Sequence, residues 1–155
     1  MPVHLVKLCV GVESIDELAQ WFASDECKKA RKRKGLKSPN EHAHWTRTKR
    51  KRAEEVLDGG SLYLVIRGRI CLRHRVLRLD DVEDSDGKAY CAIVYDPKLT
   101  LTETRPRRAF QGWRYLEDED APPDLADQRA ALRAAKAEAD LPAKMVAELK
   151  ELGLL

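Results

Sequence analysis

A chain of 155 residues with 43% hydrophobic and 35% charged side chains suits one globular domain that buries a core beneath a heavily charged surface. No apolar run approaches the ~18 residues of a membrane span, and the apolar start MPVHLVKLCVG lacks the basic flank and cleavage site of a signal peptide, so a cytoplasmic protein is expected. The net charge of +3 hides an asymmetry, +8 over residues 1–115 and −5 over residues 116–155, which points to a polyanion partner for the first part or to one part folding against the other.

Val3 to Val10 is rich in β-branched residues and reads as a strand, broken by Gly11. Ser14 stands as a helix N-cap with Glu17 three residues on, the capping-box spacing. Ile15, Leu18, Ala19 and Phe22 give that helix an apolar face bordered by Trp21. The face ends near Cys27, where KKARKRKGLK is basic all round and reads as a solvated helix end or a loop. A short strand over His42–Thr46 and a brief helix over Lys49–Leu57 follow, and Asp58-Gly59-Gly60 reads as a hairpin turn. Ser61 to Gly68 is the clearest buried strand. Arg69 to Leu79 then alternates, with Ile70, Leu72, His74 and Val76 on one face and Arg69, Arg73 and Arg75 on the other, until the phase slips in a way that predicts a bulge near Val76 and Leu77. Asp86-Gly87 turns the chain into a strand over Lys88–Asp96, Leu99–Thr104 adds another, and Pro106–Leu116 is an aromatic-rich closing segment. Glu117 to Asp124 reads as an acidic linker, and the rest as helices over Leu125–Ala139 and Leu141–Leu152, the second capped by Asp140 and stopped by Gly153.

Consecutive strands with hairpin signals, bracketed by helices, predict an α+β fold: a small, mostly antiparallel β-barrel with flanking helices and a helical C-terminus. The barrel domain is expected over residues 1–116, with residues 117–155 as linker and helices packing on or extending it.

Cys9, Cys27, Cys71 and Cys91 form no CxxC pair, so neither a zinc site nor a disulfide framework is expected. No GxSxG or HExxH motif occurs, Asp58-Gly59-Gly60-Ser61 lacks phosphate-loop spacing, and nothing calls for a cofactor. The reading is therefore of a protein without catalysis of its own.

Basic density is the strongest signal. Lys28 to Arg52 holds twelve Lys and Arg against one acid, Glu41. Such a cluster binds nucleic-acid phosphates through counterion release, without sequence specificity; the competing reading is a solvated face. Arg47, Lys49, Arg50 and Arg52 are the expected phosphate contacts, with Arg75, Arg107 and Arg114 as second choices. Trp45 and Trp113 are candidate stacking platforms for unpaired bases, whereas Phe110 reads as a core plug. Two other classes remain open. One is an interaction or scaffold protein that docks a protein partner through its C-terminal helices, where Val146, Leu149 and Leu152 form a narrow apolar stripe. The other is a small enzyme acting on modified nucleotides.

HLVKLCVGVESIDEL, LDGGSLYLVIRGRICLRHRVL and PRRAFQGWRYL, in that order, resemble a family of small bacterial proteins known only as a domain of unknown function. The resemblance spans nearly the whole chain and implies no activity. More distantly, the helix, Gly-containing turn and GRI…V strand are similar to the PUA-like fold, a small pseudo-barrel. That likeness implies binding of RNA or modified bases and makes RNA the preferred nucleic acid.

Overall fold

Ser61–Ile66 is buried along its whole length, as a continuous apolar run must be when a strand lies inside a sheet with both faces covered. Around it the computed structural model, which describes residues 2–9, 11–47, 51–108, 110, 112–139 and 152, builds one seven-stranded sheet. In chain order the elements are β1 (Val3–Leu8), α1 (Ile15–Phe22), α2 (Asp25–Arg33), β2 (His42–Thr46), α3 (Ala53–Leu57), β3 (Ser61–Ile66), β4 (Arg69–Glu83), β5 (Ala89–Tyr95), β6 (Thr100–Pro106), β7 (Trp113–Glu117) and α4 (Gln128–Ala139).

The sheet is mixed and open, and this corrects the expected barrel and with it the PUA-like reading. The path of paired strands is β2-β5-β4-β3-β1-β7, ending at β2 on one side and β7 on the other. Two features overturn the hairpin-by-hairpin picture. First, β1 pairs parallel with β3, Leu5 beside Leu62, and antiparallel with β7, Leu5 beside Tyr115, so the first strand sits inside the sheet. Second, β5 and β6 run end to end along the same side of β4: Tyr95 lies opposite Val76, Thr100 opposite Arg73, and the Asp96 amide donates to the Arg75 carbonyl between them. Two strands thus fill one position, and the sheet gains no strand with which to close.

The fifteen-residue β4 spans both halves because it carries two irregularities. Leu64 pairs with Leu72 but Val65 with Ile70, leaving Cys71 as the extra residue. Both Cys71 and Leu72 consequently face the main core. The second shift lies between Val76 and Arg78 and turns Leu77 outward to 41% exposure, where the slip of hydrophobic phase placed it.

Local chemistry explains the helices. The Ser14 hydroxyl accepts the Glu17 amide while Glu17 Oε2 accepts the Glu13 amide. The basic tail after it is a separate helix: Ser24 caps α2 by accepting the Cys27 amide, with Asp25 and Glu26 in its first turn and Arg31, Lys32 and Arg33 in its last, the polarity that a helix dipole favours. Asp58-Gly59-Gly60 is no hairpin; it leads from α3 directly into β3. Gly59 takes φ +88°, and Gly60 passes so close to the Val3 and Val56 carbonyls that a Cβ would lie 2.4 Å from each.

One core lies under α1, α3 and α4, with Val3, Leu5, Leu62, Leu72 and Ile93 among its buried members. Trp21 and Phe22 of α1 meet His42, His74 and Tyr95 there. A second cluster on the other face joins Val6, Tyr63, Val65, Ile70 and Leu116. Residues 118–124 cross that face as a strap: Asp118 bonds His4, Asp124 accepts from Nε and Nη2 of Arg73, and the Asp120 carbonyl accepts from Arg105.

The C-terminal helix expected over residues 141–152 and the Val146 and Leu149 positions lie outside the described residues, and Leu152 is 72% exposed. Among the described residues no helix is long and apolar enough to cross a membrane.

Candidate nucleic-acid interface

Edge strand β2 pairs only with β5, and in that register Trp45 lies opposite Ala92 and Thr46 opposite Cys91. Alternation sends His42 and His44 toward the main core and Ala43 and Trp45 to the other face. There Ala43, Ala92 and Val94 form a small buried patch flanked by Leu36, Trp45 and Val82. Trp45 and Tyr90 are half-buried, their rings 5.7 Å apart and tilted by 37°. The exposed Arg47 holds its guanidinium 5.9 Å from the Tyr90 ring centre, within cation–π reach.

The C-terminal turn of α2 is clamped to this strand. Arg31 Nε donates to the Glu41 carbonyl at 2.8 Å and Lys34 Nζ to the Ala43 carbonyl. Burial pushes the Lys34 ammonium below its usual range, helped by the Arg33 charge. With those two cations turned inward, Lys29, Lys32, Arg33 and Lys37 remain exposed and have no ion pair among the described residues. Beyond Tyr90 the β4–β5 turn is acidic, with Asp84 and Asp86 beside Gly87 and with Asp81 and Glu83 on β4. Glu41 is held by Arg78, whose hydrogen bonds keep that carboxyl below the usual carboxylate range.

The structure sorts the sequence candidates into different places. Trp45 and Arg47 stand together; Tyr90, which the sequence reading missed, completes them, and only the β2–β5 register places it there. Lys49 and Arg50 lie outside the described residues. Arg52 is committed to the protein's own acids, with Nε 2.6 Å from Glu55 and Nη1 2.6 Å from Glu117, and its amide donates to the Tyr115 hydroxyl. Arg75 is exposed on β4. Arg107 and Arg114 both approach the Phe110 ring, at 5.6 and 5.3 Å, on the side of the sheet that ends in β7. Phe110 packs against the second core cluster, and Trp113 packs edge-on to Tyr115, 4.8 Å away, against the main core.

His4 Nδ1 accepts the Ser61 amide at 3.0 Å, so Nε2 carries the proton given to Asp118 at 2.7 Å. His42 and His74 are fully buried, and burial pushes both down to about 4. Their Nε2 atoms are the two buried side-chain polar atoms without a partner among the described residues. No group of three or more His, Cys, Asp or Glu is placed to hold a metal ion among the described residues.

Fold and edge together define an α+β domain with an open mixed sheet and a cationic, aromatic border. The chain belongs to the family described as Protein of unknown function (DUF1489), whose model matches residues 5–155. No curated protein and no solved structure matches it.

Proposed function

We propose that this chain is a cytoplasmic, non-catalytic module that binds single-stranded nucleic acid along its β2 edge. The observation that carries the reading is the grouping of Trp45, Tyr90 and Arg47 on one face, bordered by the exposed cations of α2. Half-buried aromatic rings offer faces on which unpaired bases stack, and the neighbouring cations neutralise phosphates. A duplex hides its base faces, so the aromatic pair favours single strands. The acidic β4–β5 turn repels phosphate, which directs the backbone from Arg47 toward Lys32, Arg33 and Lys37 rather than along the hairpin. The preference for RNA came with the barrel likeness, which the open sheet removes; stacking faces and cations carry no choice between RNA and DNA.

Fluorescence anisotropy with short single-stranded and duplex RNA and DNA across a salt series tests the proposal. Saturable binding is expected for single strands, with the logarithm of the affinity falling by about 0.7 per neutralised phosphate for each decade of salt. Trp45→Ala should weaken it by about 1–3 kcal/mol at every salt concentration, whereas Arg47→Glu and Arg33→Glu should flatten the salt slope. Absence of binding at low salt, or affinity untouched by all three substitutions, overturns the reading.

A further inference from the structure

A cleft of about 450 Å³ opens between the start of α1, the β3–β4 turn, β6 and α4, and shares no residue with the β2 edge. That volume lies within the range of small-molecule sites. Its apolar lining comes from Ile15, Ile66, Cys71 and Ala135. Cys71 belongs to it through the bulge in β4: as the unpaired residue between Ile70 and Leu72, it faces the same side as Leu72 instead of alternating away. Bulges that re-aim one side chain recur beside binding and active sites.

The turn at the mouth of the cleft is unusual in the same way. Arg67-Gly68 joins β3 to β4 as a two-residue loop, and Arg67 takes φ +52°, alone among the described non-glycine residues in being left-handed. Asn or Gly would hold that conformation at lower steric cost. The arginine kept there stands at the cleft beside Arg69. Of the charged groups lining it, Arg67 and Glu13 pair at 3.4 Å and Glu138 is likewise engaged. Arg69 is exposed and has no ion-pair partner among the described residues.

We propose that this cleft binds a small carboxylate with an apolar body of medium length, the chain lying against Ile15, Ile66, Cys71 and Ala135 and the carboxylate meeting Arg69. An apolar lining with one uncommitted cation at its rim complements that chemistry: the tail leaves water and the anion gains a charge-assisted hydrogen bond. Burial, with the Glu138 charge adding to it, pushes the Cys71 thiol up to about 12. The thiol stays protonated at neutral pH and serves as lining, not as a nucleophile.

Isothermal titration of the full chain with sodium octanoate, and with octylamine as the charge-reversed probe of equal length, tests this. Octanoate should bind once, saturably, and at least tenfold more tightly than octylamine. Ala135→Trp should fill the cleft and abolish binding. Arg69→Gln, at an exposed position whose loss leaves the fold standing by its melting temperature, should weaken octanoate at least fivefold and leave octylamine unchanged. Equal affinity for the two probes, octanoate affinity unaltered in Arg69→Gln, or no saturable octanoate binding to the parent chain would overturn the proposal.

Discussion

His4 and Asp118, 114 residues apart, hold each other at 2.7 Å across the second face of the sheet. The imidazole is 5% exposed and also accepts the Ser61 amide, so one side chain ties β1 to the start of β3 and to the strap after β7. His4→Ala strands a buried amide as well as the carboxylate, and the loss should be about 1–3 kcal/mol. Asp118→Ala, at a partly exposed partner, should cost about 1 kcal/mol. Urea denaturation of both single variants and the double variant should show non-additivity, because the second substitution removes a partner already lost.

Acid should destabilise the fold from about pH 6.5 downward. His42 and His74 sit at about 4 in the fold and His44 at about 3, all below the usual 6.5, because burial penalises the charged ring. The unfolded chain therefore binds more protons between pH 6.5 and 4, and stability falls with falling pH through that window while staying level above it. By pH 4 the loss is about 3 kcal/mol for each imidazole. Denaturant titrations across the window should show this slope, reduced by about a third in His74→Phe, with a flat profile in the parent chain ruling it out.

Two adjacent glycines should respond differently to alanine. At Gly59 only the left-handed φ of +88° resists a side chain, and open space surrounds it, so Gly59→Ala should cost about 1 kcal/mol. At Gly60 a Cβ would meet two backbone carbonyl oxygens at 2.4 Å, neither of which rotates away. Gly60→Ala should cost more than about 2 kcal/mol. Thermal melts of the pair read the difference directly, and equal costs would contradict the close approach.

The strap should loosen when Asp124 loses its charge. Arg73 donates to both its oxygens, at 2.8 and 2.7 Å, and these bonds hold the carboxyl below its usual range. A depressed carboxyl stabilises the fold above its unfolded pKa and ceases to do so as pH falls through the folded value. The pair is partly exposed, so Asp124→Asn should cost only about 1 kcal/mol near neutrality. It should also remove part of the acid sensitivity below pH 4, separately from the histidine window above it, and make residues 118–124 more open to limited proteolysis.

The strands of this fold were legible because their signal is local. The alternation of Leu72, His74 and Val76, the Ser14 cap and the slip at Leu77 are each written within a few residues, whereas the bulge at Cys71 turns Ile70 to the second face, against its expected place beside Leu72. What escaped depends on partners far along the chain. Nothing in VHLVKL says that it lies parallel to SLYLVI, or that β6 continues β5 along β4 instead of adding a strand beyond it; those choices made the barrel expectation wrong. Ser24 was overlooked as a second cap because the basic run after it masks the helix pattern. The candidate interface was half visible: Trp45 and Arg47 stood out by type and proximity, while Tyr90 joins them only through inter-strand register. Arg52 looked like a phosphate contact until the fold brought Glu55 and Glu117 to it.

The position of β1 bears on how the chain is made. It is made before both of its neighbours: β3, more than fifty residues later, and β7, beyond residue 112. During synthesis β3 and β4 can form their hairpin early, and β1 can join it only as an outermost strand with one flank of amide and carbonyl groups unpaired. That flank is a template for pairing with other chains, and it stays open until β7 emerges. Truncations that end before Trp113 should therefore associate more readily than the full chain, and the interval before residues 113–117 are made is the one in which this protein most needs a chaperone.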